Sequence, residues 1–254
     1  MDFITGADWL NFLPAVKAFM LGQNPYFVGE GFAKVFEPFW TYIFLTPFAI
    51  LPFWAGRLLL LLVSYLTFAF TATKMGANKF QLVLFLLSRP VIGGLFEGNI
   101  DFLVTLGIWM PPQIGLFFVL MKPQIGFCIA IYWLYMAWKQ GGLQQVITTF
   151  APVTLAYLLS FILYGLWFLQ LQAMPHNPAN GSTIPFTIPL GLVILYAALK
   201  QQDKRLSALS TPLITPYITH YNYSIFLLSL FNRPILFLIT WIALWIPAVV
   251  KALI

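Results

Sequence analysis

The sequence has very little charge. Only 8% of its 254 residues are Asp, Glu, Lys or Arg, while 61% are hydrophobic; a soluble domain carries about 25% charged residues. That shortage rules out a water-facing surface wrapped around a globular core. The single cysteine, Cys128, rules out a disulfide framework. With only two histidines besides, the chain argues against a metal centre, so neither metal nor cofactor is expected. There is no Walker-type glycine loop to cradle a nucleotide, and no Ser-His-Asp or Cys-His arrangement can be argued. Residues 1–36 lack a basic stretch followed by an apolar core, which excludes a signal peptide. The alternating pattern of a transmembrane β-barrel is also missing.

What the chain does have is a succession of apolar stretches from residue 38 onward, many bounded by Pro, Gly or Lys. A bilayer crossing takes about 20 apolar residues as helix, and a helix satisfies its own backbone in lipid. The expected fold class is therefore all-α: a polytopic transmembrane bundle, 1–254, forming one membrane domain. Helical segments are expected at 38–53, 55–73, 80–97, 100–111, 113–122, 125–138, 145–170, 185–199, 206–218 and 223–250. The last should split at Asn232-Arg233-Pro234, because Pro breaks a helix. Several pieces are short and interrupted by Pro, as in helices that line a polar cavity. Trp9 to Leu21 is apolar but too short to cross and reads as an interfacial helix. Residues 1–36 form an outer loop, and 37–254 the bundle.

The net charge of +6 reads as topology rather than nucleic-acid binding, since the basic residues are scattered over short loops. Lys74–Lys79, Lys139 and Lys200–Arg205 mark cytoplasmic loops, with Arg233 a weaker fourth. Residues 1–36, Glu97–Asp101, Lys122, 171–186 (with His176) and His220 then share the outer face, provided 38–53 dips in and returns. Clusters such as Tyr132, Trp133, Tyr135 and Trp138 suit interfacial belts. The protein is expected to be multi-pass in the cell membrane.

Ionisable groups are costly in a membrane and mark function by default. Asp8 suits a general base at the membrane surface; the plain alternative is a solvated charge or a helix cap. Arg89, in Ser88-Arg89-Pro90, falls near the middle of 80–97, where an Arg costs roughly 2.5–3.5 kcal/mol. A phosphate, or a carboxylate such as Glu97, Asp101 or Glu37, would offset that cost equally well. Glu97-Gly98-Asn99-Ile100-Asp101 is a polar knot or an ordinary loop. Lys122 can hold a phosphate as a point charge, or snorkel. His220, among Tyr and Asn, can donate to a phosphate or shuttle a proton, or be structural.

The order of these motifs resembles polyprenyl-phosphate-dependent membrane glycosyltransferases of the GT-C class, most closely glycosyltransferase family 87, the alpha-mannosyltransferase-like family. Asp8-Trp9 through Leu21-Gly22-Gln23-Asn24-Pro25-Tyr26 is similar to that family's first outer loop. Phe36-Glu37-Pro38-Phe39 is similar to its Tyr-Pro-Pro segment, and Pro90 followed by Gly98-Asn99-Ile100-Asp101 to its Pro and Gly-Gln-x-Asn. Lys122-Pro123 resembles its Lys-Pro, and Thr215 to Tyr221 its Ser-Pro-x-x-x-x-His-His. The chain differs in having Asn99 in place of Gln, one His in the last element, and no helix ahead of Asp8. The resemblance implies a GT-C-like bundle that transfers a hexose, mannose in the first instance, to an acceptor hydroxyl on a lipid or glycan outside the cytoplasm. The sugar would come from a polyprenyl-phosphate donor. It implies Asp8 as catalytic base and Lys122, His220 and Arg89 on the donor phosphate. Asn99, Asp101 and Glu97 would lie on the sugar. Membrane lipids are the other expected partners, and nucleic acid is not one. The competing reading is a non-catalytic polytopic protein: a lipid-binding, flippase-like or transporter subunit.

Overall fold

A computed structural model describes residues 6–29, 34–173 and 179–253; Asp2, Glu30 and His176 lie outside them. Among the described residues every regular element is a helix. The order is α1 (Ala7–Met20), α2 (Phe39–Ala49), α3 (Phe53–Lys74), α4 (Lys79–Leu86), α5 (Arg89–Glu97), α6 (Asp101–Gly107), α7 (Pro112–Val119), α8 (Pro123–Tyr164), α9 (Ile188–Gln201), α10 (Lys204–Ile214), α11 (Ser224–Ser229) and α12 (Pro234–Leu253).

Two helices, α3 and α8, are long and apolar enough to cross a membrane, and the bent pair α4–α5 makes a third if counted as one span. The outward faces agree with that role. Leu58, Leu62 and Leu66 on α3, Leu155 and Ile162 on α8, Val193 on α9 and Ile239, Ile242 and Ile246 on α12 are exposed. In water such a belt would be a liability; against lipid it costs nothing.

Most interruptions sit where the backbone requires them. Pro90 occupies the first turn of α5, and its ring cannot continue α4, so the two helices meet at 47°. The single 80–97 helix expected from sequence is therefore two, and Arg89 stands at the break rather than inside a straight span. The helix expected over 206–218 stops at Ile214 because Thr215, preceding Pro216, is driven to an extended conformation. α8 is folded back on itself. At about 1.5 Å per residue, a straight helix would separate Pro123 and Phe161 by roughly 57 Å, yet both line one cavity. The reversal lies at Gly141–Gly142, and Gly142 (φ 59°, ψ −147°) has a backbone that only glycine adopts readily. This agrees with the separate 125–138 and 145–170 segments and the Lys139 loop read from sequence.

The chain repeatedly runs between two ends of the molecule. At one end Arg205 donates to the Met75 carbonyl at 2.6 Å, Lys204 to the Ile108 carbonyl at 2.9 Å, and Tyr132 to the Gln202 carbonyl at 2.9 Å. This end collects 74–79, 108–109 and 200–205. The other end collects Asp8, Glu37, 97–101, 120–124, 180–182 and 215–222. The segments flanking α2 reach this second end: Glu37 precedes it at the cavity wall, and Arg57, in the second turn of α3, donates to the Leu95 and Phe96 carbonyls. Glu37 and Arg57, on either side of α2, thus share one end of the molecule, which a return of 38–53 requires. α6 and α7 form a tight hairpin that returns Lys122 to Asp101. Added methyls would collide at Gly107, Gly115 and Gly126, so close backbone approach holds α6, α7 and the start of α8 together.

Candidate functional site

The site begins where α5 ends. Gly98 (φ 72°) takes the left-handed conformation that closes a helix, which a side chain would strain. A methyl there would also press on Trp9 of α1. The C-terminus of α5 and the N-terminus of α1 thus abut. Glu97 accepts the backbone N–H of Ala7, capping α1, and the Arg57 guanidinium neutralises the last carbonyls of α5. With α1 fixed, Asp8 in its first turn faces Asn99, one residue past the glycine.

Six side chains then form a continuous network. The Asn99 amide donates to Asp8 Oδ2. Its carbonyl oxygen accepts from Lys122 Nζ at 2.8 Å and from the Asp101 backbone N–H at 3.0 Å. Lys122 Nζ also pairs with Asp101 Oδ1 at 2.8 Å. Asp101 Oδ2 accepts from Asn222 Nδ2 at 2.7 Å, and Asn222 is oriented by the backbone N–H and hydroxyl of Thr219 at 2.8 and 2.9 Å. Asn99, Asp101, Lys122 and Asn222 are all buried. Two of the ammonium's three protons are committed, and the Tyr221 ring centroid lies 5.2 Å from it. Every bond assigns the Asn99 amide one orientation, which in turn fixes the Asp8 carboxylate.

Asp8, Asn99 and Lys122 open onto a cavity of about 890 Å³. Its wall adds Glu37 and Lys34, the amides Asn11, Gln124 and Asn180, the phenols Tyr217 and Tyr221, and the aromatic faces of Phe36, Phe161, Trp167 and Phe168. Burial pushes the Glu37 carboxyl above the usual carboxylate range, the nearby Lys122 only partly opposing it. An aromatic wall with a few convergent acids, amides and cations suits a ligand that is part polar, part apolar.

The other expected site residues are distributed differently. Asp101 is not on the cavity wall; both of its oxygens are taken by Lys122 and Asn222, so it anchors the lysine instead of meeting a sugar. Glu97 is also off the wall, occupied with the start of α1. Arg89 and His220 line a separate hollow of about 280 Å³ beside α12, with Pro90, Tyr223, Leu244 and Pro247. The segment 215–222 divides the two spaces: Tyr217 and Tyr221 face the large one, His220 the small one. Three contributors escaped the sequence reading. The sequence places Lys34 in the outer loop 1–36 without a role, although a cation on the site's own face is the available signal. Arg57 is an Arg inside an apolar run, the very feature singled out at Arg89. Asn222 had no local signal, since its partner Asp101 is far away in sequence.

Among the described residues no group of His, Cys, Asp and Glu could hold a metal ion. A carboxylate held by an amide, with an ammonium one hydrogen bond further on, can take a proton from a hydroxyl and steady a departing anion. Compared with known proteins, the chain matches no family model, no curated protein and no solved structure.

Proposed function

We propose that the protein is a multi-pass enzyme of the cell membrane, with a GT-C-like bundle, that moves a hexose, mannose in the first instance, from a polyprenyl-phosphate donor to an acceptor hydroxyl at the extracytoplasmic face. The observation that carries this reading is the meeting of Asp8 with Lys122, through Asn99, at the wall of one large cavity. In this reading the Asp8 carboxylate takes the acceptor's proton while its oxygen attacks the anomeric carbon from the face opposite the phosphate. The bond from carbon to phosphate oxygen breaks. The charge that develops on the leaving phosphate is stabilised by Lys122 and by Lys34 across the cavity. One base suffices for such a displacement, so the product has inverted configuration. Arg89 and His220, which line the other hollow, drop out of the donor site, and Asn99 acts by positioning Asp8. A transporter would need access from both ends, whereas the cavity is lined from segments of a single end.

The test is transfer of labelled mannose from polyprenyl-phosphate mannose in reconstituted vesicles. Asp8→Asn should lower transfer by about 10²- to 10⁴-fold with insertion unchanged. Transfer at the wild-type rate in that variant removes Asp8 from the mechanism. Wild-type protein that moves no hexose from any such donor removes the enzyme.

A further inference from the structure

Arg89 and His220 are two basic side chains on the wall of one small hollow. Among the described residues, Arg89 has no carboxylate within ion-pairing distance. Its described hydrogen bond is a long one, 3.4 Å from Nη1 to the Leu244 carbonyl, which leaves a five-donor fork largely uncommitted. Burial depresses the basicity of His220, and Arg89 is the charged neighbour that lowers it further; Asp8 and Asp101 act on it in the opposite sense, more weakly. The imidazole lies against Gly93, one turn along α5 from Arg89, where any side chain would collide with it. The fold therefore sets a guanidinium and, beside it, an uncharged imidazole on one hollow with no acid among its described lining residues, an arrangement that an anion complements.

We propose that this hollow binds the phosphate of an anionic membrane lipid, at a site separate from the large cavity. A guanidinium grips phosphate through paired hydrogen bonds, and the imidazole adds a further donor. The volume of about 280 Å³ accommodates a headgroup and lies below the usual range for a whole ligand, about 300–1,000 Å³. The source of the phosphate is set by the outer wall. Ala243, Leu244 and Pro247 come from α12, whose neighbouring Ile239, Ile242 and Ile246 are exposed. Acyl chains can lie along that face while the phosphate reaches inward.

The experiment uses the full chain in phosphatidylcholine nanodiscs with added phosphatidylglycerol and no sugar donor, reading retained lipid by native mass spectrometry. Wild type should retain phosphatidylglycerol over phosphatidylcholine by about tenfold or more. The preference should disappear in the double variant Arg89→Gln/His220→Gln. It should also disappear in Ala243→Leu, which fills the hollow and keeps both basic side chains, so a folding failure of the first does not decide the matter. Asp8→Asn should keep the preference, since sugar transfer is a different question. Equal retention in wild type and Ala243→Leu overturns the proposal. Displacement of the lipid by equimolar inorganic phosphate assigns the hollow to a free anion and also overturns it. Loss of the preference in Asp8→Asn overturns its separateness from the cavity.

Discussion

The two ends of the molecule use their cations differently. At the end holding Lys204 and Arg205, the positive groups donate to main-chain carbonyls at the exits of α3 and α6, where a cation meets the negative end of a helix. At the other end Arg57 caps α5 in the same way, but Lys122 is held by two side chains, Asn99 and Asp101, and is nearly excluded from solvent. Capping a carbonyl fastens a helix end and leaves nothing over. Pairing through side chains is more costly, because both charges are desolvated, but it orients a carboxylate and an amide toward an open space. One end only fastens helices, while the other also turns polar side chains toward a cavity.

This contrast can be broken from either side. Asp101→Asn leaves the Lys122 ammonium buried without its counter-charge and should cost about 3–5 kcal/mol, read as a large fall in the midpoint of thermal unfolding in detergent. A near-neutral result would make the network incidental. Arg205→Gln at the opposite end removes one charged hydrogen bond from a half-buried side chain and should cost about 1 kcal/mol, a small shift in the same measurement. A loss as large as that of Asp101→Asn would erase the distinction between the ends. The smallest effect is in pH. Because the folded protein holds Glu37 above its ordinary range, the folded state binds that proton more tightly than the unfolded chain. Glu37 thus contributes stability that is complete below the unfolded value of about 4.3 and is lost as pH rises through the folded one. Glu37→Gln should flatten that decline and be the more stable of the two at neutral pH; a variant with the same pH profile as wild type would show that Glu37 does not cause it.

Much of this arrangement was legible in the chain. Prolines and glycines mark the ends of α8, α10 and α12, since their backbone limits are local properties. Alternation of charge between loops separated the two ends correctly, placing Asp8, Glu97–Asp101, Lys122 and His220 together against Lys74–Lys79 and Lys200–Arg205. What could not be read was the assignment of partners. Asp8 and Asp101 are the same residue type on the same face, and only packing decides that one opens to the cavity and the other is spent on Lys122. Lys122 and His220 were expected on one phosphate, yet the turn at Thr219–Tyr223 sends the imidazole behind a partition toward Arg89. The role of Gly93 is equally invisible locally, because its lack of a side chain matters to a residue more than a hundred positions later.

The reversal at Gly141–Gly142 has a consequence at a distance. Both long legs of α8 contribute to the cavity wall, the first near Lys122 and the second at Tyr157 and Phe161, but they are joined only at the far extremity of the bundle. The legs behave like the arms of tongs: how far apart the tips stand, and how level they are, is set at a pivot that touches none of the groups on the cavity wall.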